Sequence, residues 1–276
     1  MRASSKIQPK HGAVLACLVI SLLPLLATAD TANQAKVTAL TGHGSLLKGG
    51  TALQPISPND RLSDGFGIST SANSRAELTF NDHAVVRLSG NSALNFKAGS
   101  FLELTRGAAL VGIPRDVKTK IQAGKVVAEV SGATAVLEYE APVFKFLVLQ
   151  GATRLYRPQH LGDSVLVNSG GMIFGDTKAA LPDAVDFDIA RFVKTCQLIR
   201  AYSPLGSEKQ MAADIEKQQQ AKSKKTLIAT NLVIFPGRPN VSIVDPDKRP
   251  TEAETKINPA AKTSTVEDAA APQTHP

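Results

Sequence analysis

The stretch GFGISTSANSRAELTFNDHAVVRLSGNSALNF, residues 65–96, decides the fold class of this chain. In RAELTF, residues 75–80, apolar and polar side chains alternate, which is the period of a strand with one buried face. Two groups of turn-forming residues, Asn81-Asp82-His83 and Gly90-Asn91-Ser92, interrupt the apolar pattern after it. The stretch therefore predicts three short strands joined by tight turns.

The same pattern of short apolar segments separated by glycine-containing turns extends from Val37 to Phe174, so we expect a mostly β domain. Beyond it, apolar residues recur at intervals of three and four, which predicts amphipathic helices over residues 183–201 and 207–222. The last stretch is dominated by Pro, Ala, Thr, Lys and Glu and cannot bury enough surface to offset its ordering entropy. The predicted organisation is a signal peptide at 1–29, a β domain at 30–180, a helical extension with a final strand at 181–235 and a disordered tail at 236–276.

The N-terminus has the three regions of an export signal. The first ten residues carry three basic side chains, residues 12–26 are apolar, and Ala27-Thr28-Ala29 offers the small residues that a signal peptidase recognises. We therefore expect cleavage before Asp30 and a periplasmic or secreted protein with no stable membrane span. An uncleaved anchor is disfavoured, because spanning a bilayer takes about 20 apolar residues and this run is shorter and broken by proline.

Charge and cysteine content exclude further classes of protein. The chain has a net charge of +7, three of whose positive charges lie in the predicted signal peptide, no tryptophan and only 5% aromatic residues. Because it lacks a dense Lys/Arg face and aromatic residues for base stacking, we do not expect a nucleic-acid binder. Cys17 lies too early in the apolar run for a lipoprotein anchor, and its removal leaves Cys196 without a disulfide partner. We expect Cys196 to be a small buried residue of the predicted helix.

Three combinations of residues resemble catalytic or metal-binding motifs, and each has a simpler structural explanation. Ser45 and Lys48 have the S-x-x-K spacing of penicillin-binding enzymes, but the K-T-G partner motif is missing. Asp82-His83 is more typical of a turn than of a metal site, because no second histidine stands at ligand spacing. Glu138 and Glu140 share a strand face, where basic residues of a neighbouring strand can pair with them. We therefore predict no catalytic, cofactor-binding or metal-binding residue, and a protein that is not an enzyme.

The order of the turns resembles the FecR domain over roughly residues 36–175. The pattern G-x-x-I-x-T followed by S-x-A-x-L-x-F-x-D, which is typical of that domain, is present from Gly65 to Asp82. Later steps of the domain are also present with small departures. They are Val130-Ser131-Gly132-Ala133-Thr134 with an inserted alanine, Leu149-Gln150-Gly151 with glutamine in place of glutamate, and Val167-Asn168-Ser169-Gly170-Gly171 with a final glycine in place of glutamate.

The resemblance implies an all-β, non-catalytic, extracytoplasmic module whose short strands form a sandwich-like or β-solenoid-like arrangement. In iron-transport regulators such a domain relays a signal through a membrane helix to a cytoplasmic anti-sigma region, and we expect neither part here. The function it implies is a binding or sensing module that recognises an envelope protein. The alternative is a carbohydrate- or peptidoglycan-associated envelope protein, for which only Tyr139, Tyr156 and Tyr202 could supply an exposed aromatic strip.

Short-stranded β domains that do not close into a barrel have edge strands with unpaired backbone groups. A strand from a partner protein can pair with such an edge. We expect residues 30–180 to bind their partner in this way. We also expect the two predicted helices to cover one edge of the β domain and to leave another accessible, because their apolar sides must be buried.

Overall fold

The computed structural model describes residues 34–224, 232–234 and 241–243. Residues 34–224 form two β-sheets that lie face to face, followed by helices. The prediction of a mostly β fold with a helical extension is confirmed. Among these residues, no helix is long and apolar enough to cross a membrane.

The first sheet is called the covered sheet, because helices pack on its outer face. Its strands pair antiparallel throughout. In spatial order they are β4 (Arg61–Leu62), β1 (Ala35–Thr41), β6 (Arg75–Phe80), β7 (Val85–Leu88), the second half of β9 (Phe101–Ile113), β12 (Ala133–Glu140), β13 (Val143–Gln150), β16 (Gly171–Asp176) and β17 (Val185–Asp186).

The second sheet is called the open sheet. Its pairs are antiparallel except β9 with β10, which run parallel. In spatial order its strands are β3 (Thr51–Pro55), β2 (Gly44–Lys48), β5 (Phe66–Thr70), β8 (Ala93–Lys97), the first half of β9, β10 (Thr119–Ala123), β11 (Val126–Val130), β14 (Ala152–Tyr156) and β15 (Ser164–Asn168).

The long strand β9 belongs to both sheets. Residues up to Arg106 pair with the open sheet, and residues from Gly107 onward pair with the covered sheet. Gly107 has a φ of +85°, which an L side chain rarely adopts, so glycine permits the change of direction. The side chain of Ser92 stabilises this change of direction, because its Oγ accepts a hydrogen bond from the N–H of Ala108 at 3.0 Å.

One apolar core fills the space between the sheets. Alternate residues of each strand point into it, as the period of two predicts. Fully buried examples are Val37, Leu78 and Val111 from the covered sheet and Ile68, Leu94 and Ile121 from the open sheet. Of the two arrangements that the resemblance implies, the structure therefore has the sandwich-like one.

The helical extension differs from the prediction in its boundaries. The predicted helix over residues 183–201 is wrong for its first six residues, in which Val185–Asp186 form strand β17. The rest forms two helices, α1 (Ile189–Thr195) and α2 (Gln197–Arg200), separated by the extended backbone of Cys196. Asp188 starts α1 by accepting a hydrogen bond from the N–H of Arg191 at 2.9 Å, a typical N-cap. The second predicted helix is present as α3 (Glu208–Ser223). The described chain thus has three helices instead of the two expected.

The position of the helices also corrects the prediction. They pack on the outer face of the covered sheet, not along an edge. A second apolar cluster joins strand residues such as Leu110, Leu147 and Met172 to helix residues such as Leu198 and Met211. The outer face of the sheet offers a wider apolar surface than an edge strand does. Helices that pack on this face therefore bury more apolar area.

Two short strands lie further along the chain. Strand β18 (Leu232–Ile234) falls inside the predicted final strand of residues 226–235. It pairs antiparallel with β19 (Val241–Ile243), so a strand occurs within the segment 236–276 for which the composition predicts disorder. The predicted signal peptide, 1–29, and the remainder of the tail lie outside the described residues.

Candidate partner-binding edge

The two sheets end in four edge strands, and they differ in their capacity to accept another strand. In the covered sheet part of β1 and part of β16 also lie at the edge, but β1 has a register shift between Val37 and Ala39, and Pro182 lies against Gly175 of β16. The end strands β4 and β17 have only two residues each. Strands this short present too few backbone groups to hold a partner, and short edges are a common protection against strand addition.

The edge strand β3 of the open sheet is exposed along its whole length but is protected in two ways. Pro55 at its end has no N–H to donate. The register with β2 shifts between Leu46 and Leu47, so the strand contains an irregularity of the bulge type. Proline and bulges are the devices with which natural sheets block further pairing.

The edge strand β15, with the sequence SVLVN, has none of these protections. It pairs with β14 in unbroken register from Ala152 with Asn168 to Tyr156 with Ser164. It contains no charged residue and no proline, and Leu166 at its centre is 62% exposed. Within residues 34–224, β14 is the strand with which β15 pairs. This edge is therefore the most accessible position for strand addition.

The hydrogen bonds at both ends of the β14–β15 hairpin show which backbone groups face outward. The N–H of Arg157 donates to the carbonyl of Asp163 at 3.1 Å, and the N–H of Ser169 donates to the carbonyl of Gly151 at 2.8 Å. In an antiparallel pair, bonded positions alternate with non-bonded positions. The N–H and C=O of Leu166 consequently point away from β14, toward the free edge.

The loop between β14 and β15 is held in one conformation. The guanidinium of Arg157, 6% exposed, donates to Asp163 Oδ2 at 3.0 Å and to the carbonyl of Ala179 at 2.6 Å. Asp163 Oδ1 accepts from the N–H of Leu181 at 3.1 Å. At the tip of this fixed loop the side chain of Leu161 is fully exposed.

Two of the three combinations that resembled catalytic or metal-binding motifs contain residues with structural roles. Asp82 Oδ1 accepts from the N–H of Ala84 at 3.0 Å, so Asp82-His83 is a turn, as predicted. Glu138 pairs with Lys145 on the neighbouring strand at 2.5 Å, as expected for a strand face. In the described ranges, no group of three or more His, Cys, Asp or Glu side chains could hold a metal ion.

Cys196 is half-buried, and burial raises the pKa of its thiol. A raised pKa disfavours the reactive thiolate. The interpretation of Cys196 as a packing residue is therefore consistent with its position between α1 and α2, against the second apolar cluster.

The tyrosines do not form the aromatic strip that the carbohydrate-binding alternative requires. The hydroxyl of Tyr139 bonds to Thr177, and the ring centre of Tyr202, which lies between α2 and α3, is 4.8 Å from the guanidinium carbon of Arg87. Tyr156 is half-buried on β14, in the other sheet. Carbohydrate binding surfaces need aromatic faces that are exposed and adjacent, and these three are neither.

A cleft of about 330 Å³ lies between the N-terminus of α3 and the ends of β9 and β12. Its lining includes the exposed side chains of His83, Arg115 and Gln210. Catalytic pockets hold buried polar groups whose pKa values are perturbed. This cleft presents its ionisable side chains to solvent, so it offers no candidate catalytic centre.

The sequence predicted an open edge but did not identify which strand provides it. Strand β15 was visible as a short apolar run without charges, between the turn at residues 157–163 and Ser169-Gly170-Gly171. Its position at an edge depends on its pairing with β14 and on the pairing of β14 with β11, which no local pattern reveals. The absence of charge from SVLVN was the available signal.

Comparison with known proteins confirms the FecR resemblance over part of the chain. Residues 67–154 match the family described as FecR protein. The match covers β5 to the middle of β14 and ends before β15. No curated protein matches the chain in sequence.

Two crystal structures of a proposed anti-sigma factor from Parabacteroides distasonis ATCC 8503, at 1.65 and 2.50 Å resolution, are similar to this chain. Each is 11% identical with a TM-score of 0.38. The first alignment covers 65% of this chain and 99% of the other, and the second covers 64% and 97%. A similarity this distant says nothing about what the present chain binds.

Proposed function

We propose that this chain is a non-catalytic, exported sensing module that recognises an envelope protein by adding a strand of that protein to the β15 edge. The observation that carries the proposal is the open, regular and uncharged edge of β15, with Leu166 exposed at its centre. The FecR domain at residues 67–154 supports a regulatory rather than a catalytic role in general.

The physical basis is the set of backbone groups that β15 directs toward solvent. A partner strand can bond to the N–H and C=O of Leu166, and each such bond contributes about 0.5–1.5 kcal/mol. Side chains then add specificity, because Leu166 lies on the outer face of the sheet, opposite Arg154 of β14. The helices cover the outer face of the other sheet, whereas β15 belongs to the open sheet.

Site-specific photo-crosslinking in cells tests the proposal. Benzoylphenylalanine at Asn168, an exposed position of β15, should give an adduct with one envelope protein. Leu166→Pro should abolish that adduct, because it removes the outward N–H while leaving the bonds to β14 intact. Leu53→Pro on the protected edge β3 is the matched control and should leave the adduct unchanged.

Two results would contradict the proposal. One is an Asn168 adduct that survives Leu166→Pro. The other is an adduct that is lost equally in Leu53→Pro. Circular dichroism of both variants must show native melting, so that loss of binding is not confused with loss of folding.

Export is tested separately by mass spectrometry of the protein purified from the envelope fraction. We expect Asp30 as the N-terminal residue, since Ala27-Thr28-Ala29 matches the preference of a signal peptidase. An intact Met1, or a lipid on Cys17, would overturn this part of the proposal.

A further inference from the structure

Helix α3 runs along one end of the sandwich toward the free edge of β15. The N–H of Gly151, in the turn before β14, donates to Asp214 Oδ2 at 3.4 Å. One turn further along the helix, Gln218 contacts Gly170, in the turn after β15, where an added Cβ would lie 2.7 Å from Nε2 of Gln218. Because β15 lies beyond β14 in the open sheet, the step from Asp214 to Gln218 leads toward the free edge.

The last turn of α3 continues toward the same side of the molecule. Lys222 forms an ion pair of 2.6 Å with Asp188, two residues after β17, the end strand of the covered sheet. The helix ends at Ser223, and five residues of helix rise by only about 8 Å from Gln218. The chain therefore leaves α3 close to the C-terminal end of β15.

The next described strand lies within reach of this edge. Strand β18 begins after the seven residues 225–231, which span at most about 25 Å. Strand β15 has five residues and is about 17 Å long. A chain that starts at the Asn168 end and runs back along β15 is antiparallel to it. This is the orientation in which β15 already pairs with β14.

Strands β15 and β18 each have a side on which another strand can pair. In the described ranges, β15 pairs with β14, and β18 pairs with β19. The sequence of β18, LVI, is apolar and β-branched at two of its three positions, and neither strand carries a charge. The two edges are therefore compatible in composition as well as in reach.

We propose that β18 adds to β15, so that the chain covers its own partner-binding edge. The resulting order β14–β15–β18–β19 ends in β19, a strand of three residues that is soon followed by Asp245 and Pro246. Short strands, charge and proline are common protections of a sheet edge. The regulatory consequence rests on the proposed function: a partner must displace β18, and a strand longer than three residues can do so because it forms more backbone bonds.

A segment of the same chain fits this position better than a second copy does. The seven connecting residues keep β18 near β15 at an effective concentration on the order of millimolar. A second copy has to reach such a concentration in free solution. Pairing of two β15 strands around Leu166 is therefore the competing arrangement, and the test below distinguishes it.

Amide hydrogen exchange at single residues of the mature full chain tests the docking. The N–H of Leu166 points to the edge, whereas the N–H of Val167 points toward β14. The docked strand should slow exchange at Leu166 about tenfold or more relative to an unprotected amide. Val233→Pro should remove this protection, because proline lacks an N–H and disrupts a short strand. Val266→Pro, the same substitution beyond β19, is the matched control and should leave the exchange unchanged.

The amide of Val167 is the internal check on folding. It should stay slow in both variants, so that a loss of protection at Leu166 alone reports undocking. A synthetic peptide of residues 226–244, added to the Val233→Pro chain at about millimolar concentration, should restore the protection of Leu166. A peptide of the same composition in scrambled order should not restore it.

Three results would overturn the inference. The first is a Leu166 amide that exchanges as an unprotected amide in the unchanged chain. If the Asn168 adduct nevertheless forms in cells, the proposed function stands without the docking. The second is protection that survives Val233→Pro. The third is protection that increases with protein concentration and accompanies a dimer, which assigns the edge to a second copy.

The opposite combination separates the proposed function from the docking. Val233→Pro opens the edge, so it should increase the Asn168 adduct with the envelope protein. If the exchange data confirm the docking but neither the unchanged chain nor Val233→Pro gives an adduct, the proposed function fails and the docking remains.

Discussion

Arg87 connects the β-sandwich to the helical extension. It is 1% exposed, and its side chain forms a 2.8 Å ion pair with Glu77. It also donates to the carbonyls of Leu198 at 3.0 Å and Ser203 at 2.5 Å, both of which belong to the extension. One side chain therefore satisfies a carboxylate of the sheet and two carbonyls of the segment that crosses it.

Replacing Arg87 should be strongly destabilising. Arg87→Met leaves Glu77 and two carbonyls without their donor, and breaking a buried pair in this way costs about 3–5 kcal/mol. Urea denaturation should show this loss in the free energy of unfolding. Arg106→Met on the exposed side of β9 is the control, with an expected change within about 0.5 kcal/mol. A loss below about 1 kcal/mol for Arg87→Met would mean that contacts other than those of Arg87 hold the extension in place.

The hydroxyl of Tyr202 responds to pH. Burial, with the nearby Glu77 carboxylate, raises the pKa of Tyr202 to about 12, although Arg75 and Arg87 oppose the shift. In the unfolded chain this phenol has a pKa near 10. Between about pH 10 and pH 12 the unfolded state therefore loses a proton that the folded state keeps. The free energy of unfolding falls as pH rises through this window.

Tyr202→Phe should remove that part of the pH dependence. The hydroxyl is buried and has no hydrogen-bond partner in the described structure, so its loss should not destabilise the protein at neutral pH. We expect the variant to be as stable as the natural chain at pH 7 and relatively more stable near pH 11. Parallel urea titrations at the two pH values measure the difference. A variant that weakens at pH 7 would indicate a contact made by the hydroxyl.

The helix break at Cys196 shows what the sequence could predict at the level of an element. The apolar period continues through residues 183–201, and the pattern correctly predicted helix for most of 189–200 but not for 183–188. The start of α1 depends on a distant side chain. Gln218 of α3 accepts from the N–H of Ile189 at 3.0 Å and donates to the carbonyl of Phe187 at 2.6 Å, which places the start of α1. Contacts across about thirty residues leave no local signal.

Strand β9 depends on glycine at the point where it changes sheets. A Cβ built on Gly107 would lie 2.5 Å from the Cα of Ser92 and 2.7 Å from its Cβ. Because the Cα belongs to the backbone, Ser92 cannot move aside without displacing β8. The positive φ of Gly107 adds strain for any other residue.

Gly107→Ala should therefore destabilise the protein by about 3 kcal/mol or more, through overpacking and backbone strain together. Gly99→Ala separates the two effects. Gly99 also has a positive φ, +77°, but nothing lies within 4 Å of an added Cβ. Its substitution should lose only about 1–2 kcal/mol. Equal losses in thermal or urea unfolding would show that contact with Ser92 is unimportant.

At the scale of the whole molecule, local patterns predicted the strands and turns but not their neighbours. The turn residues of 65–96 and the alternation in 75–80 are local properties, and the structure has strands at these positions. The division into two sheets, the edge position of β15 and the face chosen by the helices depend on pairings between distant segments. The candidate site belongs to this second group. The sequence predicted that the β domain has an open edge, but only the structure shows that Leu161 and Leu166 are exposed in and next to that edge strand.

The helical extension should be needed for a soluble β domain. Leu110, Val136, Leu147 and Met172 are buried beneath the helices, and each contributes about 1.5–3 kcal/mol through burial. A chain of residues 30–180 should therefore aggregate or melt at a much lower temperature than one of residues 30–235. The longer chain should melt close to the mature protein in calorimetry. A stable, monomeric 30–180 fragment would show that the sandwich does not need its cover.

The membership of β9 in both sheets has a consequence for unfolding. Its amides and carbonyls bond to β8 and β10 on one side of Gly107 and to β7 and β12 on the other. Complete opening of either sheet therefore breaks the pairing of a strand that the other sheet also uses. Amide hydrogen exchange at 101–113 should consequently require global opening and be the slowest in the molecule. The two sheets then behave as one cooperative unit, and a force applied to β15 is shared with the sheet beneath the helices.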